Sequence, residues 1–405
     1  MSSLTDIDSK ETIDNPEDIT EKFYRIAAKY TFNTTKPIPY KETDDGGIIS
    51  CTEVSADRPP NLFFLFKRQK GKATVLILDK VMYRNLFLES NTLKVLQETL
   101  EGYKYLKTLK LEFCGLTGEE IRMIDKMLKQ FDCVDEISVN GNPNKDQNFC
   151  RLLKHKVKWL SLKLCGITPH GARRICKELR QPDENPLTHL NLASNLLFDE
   201  GVVFIAKMLR INRKIISLNL ADNKIRKDGL LELLVPLQRF ELTHFETVTR
   251  RYFKFDYQKR LIEPSQADDR SNRYYGKHKI QRFGSDPNNT QKPQTILKGS
   301  LKTKAPARAA ELPQHPFIQD TFEDIENVYC LGNNILINLN LSYNNLNDDV
   351  APNIIDMLKY QLNQLDSTDC SKMGLIRLTL TGNNISRDYL LKIKACLQDK
   401  PCLSS

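Results

Sequence analysis

Several features that mark membrane proteins and enzymes are missing from this chain of 405 residues. No apolar run approaches the roughly 18–20 residues that a membrane-spanning helix needs. The sequence has no GxxxxGK(S/T), no GxSxG, no GxGxxG after a predicted strand and no HExxH. These absences argue against a phosphate-binding loop, a serine hydrolase, a dinucleotide site and a zinc protease. We therefore expect no catalytic residues, cofactor, metal ion or small-molecule substrate.

Cysteine pairs with metal-binding or redox spacing are also absent. The ten cysteines include no CxxC pair. The first twenty residues, MSSLTDIDSKETIDNPEDIT, are acidic and polar and lack the basic and apolar segments of an export signal. Reduced thiols and a cytoplasmic location are therefore expected.

What the sequence does contain is an internal repeat. Seven segments fit the template L-x-x-L-x-L-x-x-(N/C)-x-L, and they begin at residues 106, 134, 157, 187, 215, 336 and 375. Their spacings are 28, 23, 30, 28, 121 and 39 residues. A period close to 28–30 is typical of repeats that contain one strand and one full helix. The copy at 134 is degraded, because it ends in Asn144 and not in an apolar residue.

The template has a physical explanation. Positions four and six of each strand point inward and are apolar, whereas positions three, five and seven point outward. Position nine turns the chain out of the strand and leaves backbone groups in the interior, where an Asn or a small Cys can bond to them. We expect this structural role, and not catalysis, for Cys114, Asn142, Cys165, Asn195, Asn223, Asn344 and Asn383.

These repeats resemble the ribonuclease-inhibitor subfamily of leucine-rich-repeat proteins. The resemblance is clearest in LTHLNLASNLL from Leu187 and IISLNLADNKI from Ile215, and it covers roughly residues 100–240 and 330–400. It implies an α/β leucine-rich-repeat solenoid, shaped like a horseshoe. The subfamily includes inhibitors, GTPase activators and cytoskeletal scaffolds, so the fold alone does not define the function.

A long insertion interrupts the repeats between residues 215 and 336, where 121 residues replace the roughly 29 of one repeat. The insertion opens with ELTHFETVTRRYFKFDYQKRLI, a predicted helix that we expect to continue or cover the preceding repeat. Its apolar stripe consists of Phe245, Val248, Tyr252 and Phe255. Beyond Pro264 the chain is polar, and residues 265–315 are expected to be mostly disordered.

The insertion also carries the charge of the protein. Residues 246–310 have 15 Lys/Arg and 6 Asp/Glu, a net charge of +9, which equals the net charge of the whole chain (60 − 51). Three interpretations are open: a solvated loop, a contact with an acidic protein surface such as the tails of tubulin, or nucleic-acid binding. The last is disfavoured because no RNA-binding motif accompanies the charge. The predicted basic contact residues are Arg250, Arg251, Lys254, Arg260, Lys277 and Lys279.

The outward positions three, five and seven of the seven strands define the concave face, which is mostly small and polar. The predicted binding residues on it are Trp159, His189, Asn191, Asn219 and Asn340. Trp159 is the only tryptophan. Either the distorted repeat at 134 shields it, or it is exposed as a binding anchor, a common role of tryptophan at interfaces.

The predicted organisation has six parts. They are a disordered acidic N-terminus (1–20), an N-terminal cap (21–100), repeats (101–240), a helical extension (241–262), a basic and largely disordered insertion (263–330) and C-terminal repeats (331–400). Their order is similar to that of leucine-rich-repeat proteins from motile cilia and flagella. This resemblance implies a non-catalytic scaffold of the axoneme with axonemal proteins or tubulin as partners and no contact with a membrane. The alternatives are a regulator of a small GTPase and an RNA-binding adaptor.

Overall fold

The computed structural model divides the chain into two compact units. Unit one comprises residues 1–239 and 332–405, and unit two comprises residues 240–331. The structure describes residues 16–30, 37–42, 48–50, 61–69, 72–131, 133–180, 185–278, 314–325, 327–364 and 373–398.

Unit one contains one parallel strand from each of the seven repeats. These strands are β5 (Thr108–Glu112), β6 (Glu136–Ser138), β7 (Trp159–Ser161), β8 (His189–Asn191), β9 (Ser217–Asn219), β13 (Asn338–Asn340) and β14 (Arg377–Thr379). Every neighbouring pair aligns the same template positions, as in Trp159 opposite His189. The register continues from β9 to β13, where Leu218 pairs with Leu339. The insertion therefore leaves the pairing of the repeat strands unchanged.

A helical segment follows each strand and covers the other side of the sheet. The α-helices are α3 (Gly118–Leu128), α4 (Pro169–Leu179), α5 (Phe198–Leu209), α6 (Lys227–Leu234), α9 (Ala351–Asn363) and α10 (Arg387–Gln398). A capping box fixes the start of α3, because Thr117 and Glu120 exchange hydrogen bonds with each other's backbone. In α5, Val202, Ile205 and Leu209 are buried on one face, as their helical spacing predicts.

The degraded repeat at 134 has a short 3₁₀ helix, Phe149–Lys154, where the other repeats have an α-helix. Its lost residues therefore shorten the helical side and leave its strand in register with both neighbours. The 3₁₀ segment and the residue after it also bind a buried carboxylate of the preceding repeat. The carboxylate of Asp125 in α3 accepts hydrogen bonds from Arg151 at 3.0 Å and from the His155 ring at 2.9 Å.

The N-terminal part of unit one extends the repeat sheet to eleven strands within the described residues. Its elements are α1 (Pro16–Lys29), β1 (Pro37–Glu42), β2 (Ile48–Ser50), β3 (Leu62–Gln69), β4 (Lys72–Arg84) and α2 (Ser90–Leu100). Strand β4 runs parallel to β5 and antiparallel to β3, so it joins the repeats to the preceding strands. Helix α1 begins four residues before the predicted end of the disordered N-terminus. It does so because Ile19 and Phe23 are fully buried on its inner face.

Unit two consists of a long helix, a short helix and a three-stranded antiparallel sheet. Its elements are β10 (Phe240–Glu241), α7 (His244–His278), α8 (Pro316–Gln319), β11 (Thr321–Glu323) and β12 (Val328–Cys330). The structure differs here from two expectations. Helix α7 continues beyond the predicted end at 262 into residues 265–278, which were expected to be mostly disordered. The last part of the insertion that was predicted to be largely disordered (263–330) contains α8, β11 and β12. Part of the predicted disordered insertion, residues 279–313, lies outside the described residues.

Candidate functional site

The residues at template position nine bond one repeat to the next. The Asn142 Oδ1 accepts hydrogen bonds from the backbone N–H groups of Cys114 at 2.8 Å and Leu116 at 3.1 Å, and its Nδ2 donates to the Leu111 carbonyl at 2.8 Å. The side chains that accept two backbone N–H groups of the preceding repeat in the same way are those of Asn195, Asn344 and Asn383. These amides therefore satisfy backbone groups that the strand turn buries.

The two cysteines at position nine have a related arrangement. The Cys114 thiol donates to the Tyr83 carbonyl at 3.3 Å, and the Cys165 thiol donates to the Val139 carbonyl at 3.2 Å. Burial raises the pKa of both thiols to about 12. Burial also raises the pKa of Cys176 in α4 to about 12. Because the thiolate is the reactive form of cysteine, these thiols are inert at neutral pH.

A second set of buried asparagine side chains was not predicted from the sequence. Asn185, Asn212 and Asn333 stand two or three residues before the first apolar residue of their repeats, and all three are buried. The Asn212 Oδ1 accepts a hydrogen bond from the Ile215 N–H at 3.0 Å, and its Nδ2 donates to the Leu179 carbonyl of the preceding repeat at 2.9 Å. Their spacing relative to the template was the available signal. Like position nine, they are structural and face the interior.

Position eight is left-handed in every repeat. The seven residues have φ between 53° and 73°, and they are Phe113, Gly141, Leu164, Ser194, Asp222, Tyr343 and Gly382. The ring of Phe113 lies directly against Gly141, such that a Cβ on this glycine would be 2.2 Å from the nearest ring carbon. Tyr343 lies against Gly382 in the same way, with a corresponding distance of 2.3 Å. An aromatic residue at this position therefore requires a glycine in the next repeat.

The concave face is internally hydrogen-bonded from β5 to β8. The Asn140 amide donates to Glu112 at 3.0 Å, and its carbonyl accepts from the Ser161 hydroxyl at 2.7 Å. The Asn191 amide in turn donates to Ser161 at 3.0 Å. The amides and hydroxyls on this side of the face thus bond to one another, which fixes their positions.

Trp159 and His189 form one exposed aromatic patch on this face. Their rings stack with centroids 3.6 Å apart and planes 9° from parallel. The indole is 52% exposed, so the repeat at 134 does not shield it. The His189 Nδ1 lies 2.8 Å from the Thr188 hydroxyl, and partial burial lowers the pKa of the imidazole. A neutral imidazole stacked on an indole presents a flat, largely apolar surface at neutral pH.

Beside this patch, two asparagines at position five present amide donors. The side-chain carbonyl of Asn219 accepts the Ala221 N–H at 3.1 Å, and that of Asn340 accepts the Ser342 N–H at 3.0 Å. These bonds fix both amides, and neither Nδ2 group has a partner among the described residues. A groove of about 430 Å³ runs along the face and is lined by the patch and by these amides. The groove therefore combines a flat aromatic surface with fixed hydrogen-bond donors.

The predicted basic contact residues have different environments. Arg250 is buried and bonds to Glu323 at 2.7 Å, and Lys254 approaches the same carboxylate at 3.3 Å. The Arg250 hydrogen bond, reinforced by Lys254, lowers the pKa of Glu323. Two of the six residues thus stabilise unit two itself, an involvement that the sequence did not indicate. Arg260 pairs with Asp256 at 2.9 Å.

The other three predicted basic residues differ in exposure and in whether the structure describes them. Arg251 is exposed on α7. Lys277 lies in the last turn of α7, and Lys279 lies outside the described residues. Of these three, only Arg251 has a described side chain, and it is exposed; Arg260 is also exposed, but its guanidinium is paired with Asp256.

The described residues lack the features of metal and membrane-spanning sites, and the aromatic patch lacks those of an acid–base site. Within the part of the chain that the structure describes, no three His, Cys, Asp or Glu side chains are grouped closely enough to hold a metal ion. No helix in the described ranges is both long and apolar enough to span a membrane. The hydrogen-bond partner of His189 is a threonine and not a carboxylate, so the aromatic patch lacks an acid–base pair.

Comparison with known proteins identifies the repeats. A sequence profile described as Leucine Rich repeat matches residues 185–206 and 212–234. NACHT, LRR and PYD domains-containing protein 5 from Homo sapiens is 30% identical over 112 residues, which are 26% of this chain and 9% of that protein. Ribonuclease inhibitor from Sus scrofa is 25% identical over 169 residues, or 33% of this chain and 37% of that protein.

The chain thus spans 9% of the length of the first curated relative and 37% of the length of the second. Together with the α/β architecture, the matches identify an array of leucine-rich repeats. Proteins with such repeats act in protein interaction.

Proposed function

We propose that this protein is a non-catalytic interaction scaffold whose concave face binds a polypeptide segment of a partner protein. The exposed stack of Trp159 on His189 is the observation that carries the proposal. Tryptophan is enriched among the residues that dominate binding energy, because its large ring excludes water from the contact. An exposed indole in the middle of a polar face has the properties of such an anchor.

The rest of the groove favours a polypeptide over a small molecule. The Asn219 and Asn340 donors lie on adjacent strands, which are about 4.8 Å apart in any sheet. Fixed amide donors suit the carbonyl oxygens of a backbone, and the short side chains around them leave room for a close approach. The face has too few acidic and aromatic residues to bind a basic enzyme such as a ribonuclease. We therefore do not propose ribonuclease inhibition for this chain.

The order of the segments supports a more specific proposal. The order of repeats, a helix rich in aromatic and basic residues, a basic insertion and two final repeats resembles that of leucine-rich-repeat-containing protein 71. We propose on this basis that the protein is cytoplasmic and belongs to the axoneme of cilia or flagella. Arg251 and the basic residues that follow it would contact acidic surfaces such as the tails of tubulin.

Localisation of a tagged full chain in ciliated cells tests both parts. We expect axonemal staining that resists detergent extraction, its loss in Trp159→Ala, and its retention in the control Leu391→Ala, which changes a residue 55% exposed on α10. Loss in Lys277→Glu/Lys279→Glu, which leaves the apolar stripe of α7 and its flanking residues unchanged, would support the electrostatic contact. Thermal unfolding of each purified variant shows whether the fold is intact.

Other outcomes refute parts of the proposal. Diffuse or nuclear staining in cells with intact axonemes would contradict the ciliary assignment, and GTPase stimulation and RNA binding would then be measured. Equal behaviour of Trp159→Ala and Leu391→Ala would contradict the role of the concave face.

A further inference from the structure

Helix α7 carries an apolar stripe that nothing in the described residues covers. Phe245, Val248, Tyr252 and Phe255 are 72%, 46%, 64% and 66% exposed. Large apolar side chains grouped on one exposed face usually mark an interaction surface.

The spacing of the stripe is that of a coiled coil. Its members are three, four and three residues apart, which corresponds to positions a, d, a and d of two heptads. A helix that packs on a globular core usually has a broader stripe with additional e or g residues. Here the flanking e and g positions are Thr249, Arg251, Asp256 and Gln258. The stripe is thus a narrow seam between polar residues.

The opposite side of α7 already has its partner within unit two. Arg250 donates to Glu323 and Thr321 of β11, and the Phe253 ring lies 4.7 Å from the His315 ring. Because these contacts fix the other side of the helix, the seam faces away from the three-stranded sheet. It is available without any rearrangement of unit two.

The charges beside the seam indicate the occupant. In a parallel two-stranded coiled coil, a g residue of one helix faces the e residue five positions later in the other helix. Arg251 is at g and Asp256 is at e, so two copies of α7 would form this pair twice by symmetry. Asp256 already pairs with Arg260 of its own helix at 2.9 Å, and its 41% exposed side chain can accept Arg251 of the second copy as well. In the antiparallel arrangement g faces g and e faces e, which brings no Arg251 opposite Asp256. We propose that α7 forms a parallel two-fold contact with α7 of a second copy of this chain.

The proposed contact is short, because two heptads are fewer than a stable isolated coiled coil needs. We therefore expect a dimer that dissociates at micromolar concentration, unlike a permanent assembly. Dimerisation would give the protein two concave faces. This inference does not depend on what the concave face binds.

Sedimentation of the full chain over a range of micromolar concentrations tests the proposal. We expect a concentration-dependent monomer–dimer equilibrium, its loss in Tyr252→Asp, and no change in the control Leu391→Asp. Arg251→Glu and Asp256→Arg should each weaken association about tenfold or more, because like charges then face each other. The double variant Arg251→Glu/Asp256→Arg should restore association. Circular dichroism of each variant shows whether the helical content of the chain is retained.

The orientation is tested by oxidation of Val248→Cys. A parallel contact places the two d positions opposite each other, so a disulfide-linked dimer should form that the wild-type chain does not form. Three results would overturn the proposal: a monomer at all concentrations, a dimer that Tyr252→Asp leaves intact, as binding through another surface would give, or failure of the double variant to restore association.

Discussion

The stacking of Phe113 on Gly141 gives the sharpest test of the repeat geometry. Gly141 has φ of +68°, and a Cβ there would be 2.2, 2.4 and 2.8 Å from three carbons of the Phe113 ring. Gly141→Ala therefore adds left-handed strain of about 1 kcal/mol and displacement of a packed ring of about 1–3 kcal/mol. We expect the free energy of unfolding to fall by about 2–4 kcal/mol in total.

Urea unfolding followed by circular dichroism measures this loss, and Gly102→Ala is the matched control. Gly102 also has positive φ, +91°, but no atom lies within 4 Å of its Cβ position. The control should therefore lose only the strain of about 1 kcal/mol. In a Phe113→Ala background, the cost of Gly141→Ala should fall to that of the control. Equal losses for the two glycines, or no coupling between positions 113 and 141, would refute the reasoning.

Three further predictions concern titratable groups. Burial opposes ionisation of Asp125, but hydrogen bonds from His155 and Arg151 outweigh it and lower the Asp125 pKa. Its contribution to stability is therefore present above the ordinary aspartate pKa of about 3.9 and is lost as the pH falls through the lower folded value. Asp125→Asn should reduce the free energy of unfolding at pH 7 by about 1–3 kcal/mol and should make this free energy depend less steeply on pH at acidic pH. If urea unfolding at a series of acidic pH values shows the same pH dependence in the variant as in the wild type, this prediction is wrong. Cys176 should react with a thiol reagent at pH 8 only after urea unfolding, since burial raises its pKa to about 12, and rapid native labelling, located by mass spectrometry, would disprove it. Fluorescence of Trp159, the only tryptophan, should be quenched as the stacked His189 becomes protonated, with a midpoint below the ordinary histidine pKa of about 6.5, and His189→Gln should abolish the transition.

The repeat architecture could be predicted because it is periodic. Each copy of the template specifies its own strand, and agreement among seven copies compensates for errors in any one. Position nine could be interpreted for the same reason, since one physical role explains both Asn and Cys. The amides at Asn185, Asn212 and Asn333 were missed because their distance to the template varies between two and three residues.

The exposure of Trp159 could not be decided from the sequence. The short spacing of the repeat at 134 allowed a distorted strand that shields the indole. In the structure the shortening falls entirely on the helical side, as the 3₁₀ helix Phe149–Lys154, and the strand face is undisturbed. Sequence spacing gives the number of missing residues but not the side of the repeat from which they are lost.

The insertion was the least predictable segment, because it has no period. A proline at 264 suggested a helix end, yet α7 continues to His278, since a proline removes one helical hydrogen bond without dictating where the helix stops. The apolar stripe was recognised, but the sequence could not tell a face packed on a core from one left for another molecule.

The uninterrupted strand register across the insertion has a consequence for how the protein folds. The Asn344 side chain accepts a hydrogen bond from the Asn223 N–H across 121 residues of chain, whereas Asn142 spans only 28 to reach Cys114. Closing the longer loop costs roughly 1 kcal/mol more conformational entropy. During synthesis, the first five repeats are complete long before the sixth emerges, and their last strand, β9, waits with an open edge. The final two repeats therefore pair with a sheet that has already formed. The length of the insertion sets the time during which the edge of β9 is unpaired.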